Sequence, residues 1–205
     1  MKHTRNPYNH AAQVIEQYFQ KSEESDDSVW YENSDLKKKI DEKYQDGPPQ
    51  EILDLITAVE STFDITLVNL SVTFLPSWRF EFSTAEQLSE EITREECIGI
   101  HFSCLSNFYT FYRATSFQVP IQSTTHKKTW LPAIVHEKHF APIGIDYTAF
   151  EGLTEKFLSN FRYLHPSPCV RPIIGFKAPY VLKEAPSLAN FLFHNSHLSH
   201  SPIFM

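Results

Sequence analysis

Hydrophobic positions recur every three or four residues through the first third of the chain. Val14, Ile15, Tyr18 and Phe19 form one stripe within residues 9–21, with Asn9 as a suitable cap, and predict a first helix. "SEESDD" (22–27) reads as a charged connection. Leu36, Ile40 and Tyr44 repeat every four residues and predict a second helix over 35–45. "DGPP" (46–49) ends it and opens the next, since proline suits a first helical turn but not a helix interior. Over 49–63, Ile52, Leu55, Ile56, Val59 and Phe63 share one face of a third helix.

The period then shortens from about 3.6 to 2. "VNLSVTF" (68–74) alternates apolar and small polar residues, "LPSW" (75–78) turns the chain, and "RFEFS" (79–83) reads as the partner strand. Thr84 with Gln87, or Ser83 with Glu86, offers a capping box, and predicts a helix over 84–95 that buries Leu88 and Ile92. "CIGIHFS" (97–103) and "NFYTFYR" (107–113) read as strands. From 114 to 148 the pattern weakens, with short strands expected in "TWLPAIVH" and "IGIDY". A helix is expected over 149–164 through Phe150, Leu153, Phe157, Phe161 and Leu164. Prolines 166, 168, 172, 179 and 186 then suit edge strands and a wrapping segment. The order predicts a single α+β domain: N-terminal helices (1–46 as a helical segment) on a mostly antiparallel sheet with helical insertions. Residues 187–205 are expected to dock as a tail through Leu188, Phe191, Leu192 and Phe193.

Composition narrows this further. A chain of 205 residues with 17 Phe can build one sizeable core. Three cysteines without a framework spacing point to a reducing compartment. The first twenty residues lack the apolar run of a signal peptide, and the two stretches without Asp, Glu, Lys or Arg (97–112 and 187–205) are broken by His, Asn and Ser. The expectation is a cytoplasmic protein that does not enter a membrane.

Charge is distributed unevenly. Residues 1–100 carry 9 Lys+Arg against 20 Asp+Glu, a balance of −11, whereas residues 101–205 carry 9 against 5, a balance of +4. The acidic half would repel phosphates, which disfavours direct nucleic-acid binding. A field of one sign steers association with a partner of the other. Within "SEEITREEC", the carboxylates Glu90, Glu91, Glu95 and Glu96 are the candidate partner-binding residues, laid along the predicted 84–95 helix. There Glu90 and Arg94 would pair, while Glu91 and Glu95 would repel until a cation relieved them.

Most catalytic chemistry is excluded by spacing. The five glycines lie too far apart for a dinucleotide turn or P-loop, and no GxSxG elbow is present. Cys97 and His101 on one strand would stand roughly 13 Å apart, with Cys104 on the opposite face, which prevents a local dyad or zinc site. "HEKH" places His136 and His139 three apart and is not HExxH. His194, His197 and His200 cannot reach one ion, since on a helix they spread over about 120° of the circumference. No metal and no cofactor is expected. Two functions follow from these observations. The first is a non-enzymatic inhibitory domain whose acidic half masks a basic protein partner, as an immunity protein does for a toxin such as a nuclease. The second is a small metal- or ligand-dependent enzyme, which requires His136, His139 or His165 to converge with Asp146 or Cys169.

Overall fold

The computed structural model describes residues 7–19, 21, 34–120, 128–131, 134–136, 147–178, 186–193 and 203–204. It is an α+β domain built on one mostly antiparallel sheet, as the periodicity predicts. The helices are α1 (Pro7–Tyr18), α2 (Asp35–Asp46), α3 (Gln50–Phe63), α4 (Tyr147–Phe157), α5 (Pro166–Cys169) and α6 (Leu188–Leu192). The strands are β1 (Val68–Asn69), β2 (Ser77–Gln87), β3 (Thr93–Ser103), β4 (Phe108–Pro120), β5 (Lys128–Trp130), β6 (Ile134–His136), β7 (Arg162–Tyr163) and β8 (Ile203–Phe204). The sheet runs β1-β2-β3-β4-β6-β8, and β5 and β7 pair with other stretches of the long β4.

Both faces of the sheet are covered, and side-chain alternation explains how. Trp78 and Phe80 of β2, Ile98, Ile100 and Phe102 of β3, and Tyr109 and Phe111 of β4 point to one face. They pack there against Ile52, Leu55, Ile56 and Val59 of α3 and Phe150 of α4. Phe108, Tyr112 and Ala114 of β4 point to the other face, where Val14 and Ile15 of α1, Leu36 and Ile40 of α2, and Phe191 and Leu192 of α6 close a second core. The tail residues expected to dock do so: Leu188, Phe191, Leu192 and Phe193 are all buried. Ser187 and Asn190 form a reciprocal capping box, and the Ser77 hydroxyl donates to the Phe193 carbonyl at 2.6 Å.

Local chemistry sets the helix limits. Ser34 caps α2 by accepting from the Lys37 amide at 3.1 Å, and Gly47, at a φ of 76°, closes it. Three expectations need correction. The helix predicted over 84–95 does not form; β2 continues to Gln87 and β3 begins at Thr93, paired residue for residue from Ser77–Ser103 to Gln87–Thr93. Leu88 and Ile92 are exposed on the turn rather than buried, because the hairpin carries them past the helical layers. The strand expected over 68–74 is reduced to Val68–Asn69. Asn69 Oδ1 accepts from the Ser71 amide and Ser71 Oγ from the Arg79 amide, and these side chains divert the backbone from the ladder. The helix expected over 149–164 stops at Phe157, where the chain turns through Leu158 and Phe161 into β7. Among the described residues no helix is long and apolar enough to cross a membrane.

Candidate functional site

The acidic candidates lie at the far end of the β2–β3 hairpin. Glu86 faces Arg94 across the two strands and makes an ion pair with it. Glu90 and Glu91 occupy the turn and are exposed, and Glu95 on β3 is half-buried opposite Ala85. The turn is tied by its own side chains. Ser89 Oγ accepts from the Glu91 and Ile92 amides at 3.3 and 3.2 Å, Gln87 Nε2 donates to the Ser89 and Ile92 carbonyls, and Thr93 Oγ1 donates to Gln87 Oε1 at 3.0 Å. The repulsion expected between Glu91 and Glu95 one helical turn apart is therefore not a feature of the structure, since no helix brings them together.

Glu96 does not share this exposure. One residue further along β3 it turns inward, 7 % exposed, and accepts two hydrogen bonds from Arg113, from Nε at 3.0 Å and Nη2 at 2.7 Å. Thr115 Oγ1 lies 3.0 Å from both Glu96 oxygens and 2.8 Å from His136 Nε2. A carboxylate cannot donate, so the single hydroxyl proton of Thr115 goes to Glu96. His136 Nε2 must then carry a proton and donate to Thr115. Burial and the neighbouring Arg113 charge lower the His136 pKa below its ordinary 6.5, against the pull of Glu96.

A second polar cluster lies on the opposite face of the sheet. Arg79 and Glu81 on β2, Cys97 and His101 on β3 and Tyr112 on β4 occupy successive positions of one face. Glu81 Oε1 accepts from Arg79 Nη2 at 3.0 Å and meets His101 Nε2 at 3.1 Å, with the Tyr112 hydroxyl at 3.5 Å. Burial pushes the Glu81 pKa up. The hydrogen bond and charge of His101 and the guanidinium of Arg79 more than reverse this and hold it at about 2. Cys97 Sγ approaches the other carboxylate oxygen at 3.9 Å. The Cys97–His101 dyad ruled out by spacing is thus replaced by two residues meeting at one carboxylate.

That carboxylate was not a sequence candidate. Arg79 and Glu81 alternate with Trp78, Phe80 and Phe82, which reads as the wet side of a half-buried strand. A contrary signal existed two strands away: "NFYTFYR" has bulky residues at both parities, as a strand covered on both faces requires. Gly99 completes the geometry, since the Tyr112 phenol lies across the space a side chain would fill.

The remaining candidates do not gather. Cys169 is buried in the α1/α2/α6 core, whereas His136 sits with Thr115 on the opposite face of the sheet. His165 caps α5, its Nδ1 accepting from the Ser167 amide at 3.3 Å. His139, Asp146, His194, His197 and His200 lie outside the described residues. Among the described residues, no group of three His, Cys, Asp or Glu side chains is placed to hold a metal ion. Burial raises the pKa of all three cysteines, Cys169 to about 12 and Cys97 and Cys104 well above their usual range, so none is a ready thiolate.

No family model, no curated protein and no solved structure matches the chain.

Proposed function

We propose that the chain is a non-catalytic protein-binding domain that masks a basic partner with its acidic half, in the manner of an immunity protein that neutralises a cationic toxin such as a nuclease. The observation that carries this reading is the hairpin end, where Glu86, Glu90 and Glu91 stand exposed around the exposed apolar side chains of Leu88 and Ile92. Carboxylates give long-range steering, and apolar side chains beside them give the desolvated contact that holds a complex once formed. The buried carboxylates support the same reading from the other side. Glu81 and Glu96 are each held by an internal arginine and are buried, so the outward field of the acidic half comes from the exposed carboxylates at the hairpin end.

The reading is tested by isolating the partner by affinity capture and measuring association rates as salt is raised. The rate should fall steeply with ionic strength, and reversing Glu90 and Glu91 to Lys should slow association while leaving the circular dichroism spectrum unchanged. A partner that carries no basic surface, or association indifferent to both salt and reversal, would sink it.

A further inference from the structure

The register of β2 leaves part of its outer edge open. β1 covers β2 only at Phe80 and Glu81, with the Leu70 amide adding one bond to the Arg79 carbonyl. The Arg79 amide also points outward, toward Ser71 Oγ. In an antiparallel strand the N–H and C=O of one residue point the same way and alternate along the chain. Arg79 therefore fixes the parity: the backbone groups of Ser83, Ala85 and Gln87 face away from β3. Among the described residues no strand pairs with them, and Ser83 through Gln87 are all exposed. The stretch carries no proline or lysine and its pairing with β3 is unbroken by a bulge, so of the devices that blunt an exposed edge it has only the charge of Glu86.

We infer that this open edge, Ser83 to Gln87, is a docking edge on which a partner protein adds an extended segment bearing Lys or Arg as a further strand. The inference rests on the basic-partner reading and supplies its binding mode. Main-chain bonds to Ser83, Ala85 and Gln87 would provide affinity, and side chains at alternate positions would provide selectivity.

The side-chain rows decide the occupant. On one face the row across the sheet runs Ala85, Glu95, Ser116. A residue of an added strand opposite Ala85 would look across a single methyl group to Glu95, which has no ion-pair partner among the described residues. A long cationic stem reaches that carboxylate; a short or acidic side chain does not. On the other face Glu86 borders the new strand directly. A second copy of this chain would bring Glu86 and Glu95 to the same edge and set like charges together, so the charge favours a basic segment over self-pairing.

The test uses the full chain and two synthetic peptides, one alternating threonine with lysine and one alternating threonine with glutamate. Amide hydrogen exchange with the lysine peptide should slow at Ser83, Ala85 and Gln87 but change little at Thr84 and Glu86, whose amides already face β3. The glutamate peptide should protect none of them. Ala85→Pro removes an outward donor at a position where an edge tolerates proline, and should weaken lysine-peptide binding about tenfold or more. Glu95→Lys should weaken it further at low salt. Lysine-peptide binding that Ala85→Pro leaves intact and charge reversal abolishes would overturn the edge while the basic-partner reading survives. Equal protection by both peptides would overturn the basic occupant and, with it, the basic-partner reading. Self-association of the free chain abolished by Ala85→Pro would assign the edge to a second copy and overturn the proposal. Exchange in the complex measures the same contact without a variant, so an Ala85→Pro chain that fails to fold does not rescue or condemn it.

Discussion

Gly99→Ala is a one-methyl test of the buried Glu81 cluster. Gly99 pairs with Tyr112 across β3 and β4, and a Cβ at this position would lie 2.5 Å from the phenol Cζ and Oη and 2.6 Å from Cε1. Ordinary contact begins at 3.4 Å, so the ring must retreat by about an ångström. It has little room, because Tyr112 is 1 % exposed within the α1/α2/α6 core and Gly99 is held in a ladder on both sides. Retreat also carries the hydroxyl out of reach of His101 Nε2 and Glu81 Oε1, from which it stands 3.4 and 3.5 Å. Overpacking costs about 1–3 kcal/mol, and a long bond to a charged group adds about 1 kcal/mol. Replacing glycine recovers about 0.4–1 kcal/mol through the unfolded chain. The balance is a loss of about 1–3.5 kcal/mol, a large share of the roughly 5–15 kcal/mol that stabilises a domain.

Urea unfolding followed by tryptophan fluorescence measures that loss directly. The decisive comparison is a double-mutant cycle with Tyr112→Ala, which removes the ring that the methyl would strike. In that background Gly99→Ala should cost nothing or stabilise slightly. The same penalty with and without the ring would refute the argument, and so would a single-variant loss below about 0.5 kcal/mol.

Glu81→Gln should cost about 3 kcal/mol near neutral pH, since the carboxyl is held at about 2 in the fold against an ordinary 4.5. A depressed folded value means the stabilisation is complete above about pH 4.5 and disappears as pH falls toward 2, so the gap between wild type and variant should narrow on acidification; a constant gap from pH 7 to pH 3 would contradict it. Phe191→Ala, at a fully buried ring stacked edge-on against Phe19 at 4.7 Å, should cost about 3–5 kcal/mol by thermal or urea unfolding, and an unchanged midpoint would show the C-terminal helix undocked. The His136 imidazole should titrate below 6.5 by NMR, with the proton of its neutral form on Nε2; a midpoint above 6.5 would contradict its burial beside Arg113.

Elements defined by a stripe that meets a ready core were legible in the sequence. The α3 residues Ile52, Leu55, Ile56 and Val59 fall on one helical face and are all buried, and Ile98, Ile100 and Phe102 alternate as β3 does in the structure. The misreading of 84–95 has a different origin. Thr84 with Gln87 and Leu88 with Ile92 are local signals at helical spacing. The ladder from Ser77–Ser103 to Gln87–Thr93 is a sum of long-range bonds that no window of the sequence contains. Pairing that is already in register continues at small cost per residue, and it overrides a weak helical preference. The strand expected over 68–74 failed for the converse reason: its alternation is sound, but its apolar side chains Val68, Leu70 and Phe74 lie exposed at the sheet edge, so the alternation buries little.

The carboxylates show why a site is harder to read than a fold. In the sequence Glu81, Glu90, Glu91, Glu95 and Glu96 are equivalent charges in an acidic half. The fold separates them by strand parity and depth. Glu96 and Glu95 are adjacent, yet opposite parity sends one inward to Arg113 and leaves the other beside Ala85 with no ion pair among the described residues. Arg113 belongs to the basic half, so its pairing with Glu96 cancels charge across the very division that the sequence suggests. A field outside the molecule is set by the carboxylates without an internal cation, and counting along the chain cannot identify them. What identifies them is depth in the fold together with register: Glu81 and Glu96 lie under the packed layers, Glu86 lies beyond them, and the outward Arg79 amide fixes by parity which backbone groups up to Gln87 are left for a partner to meet.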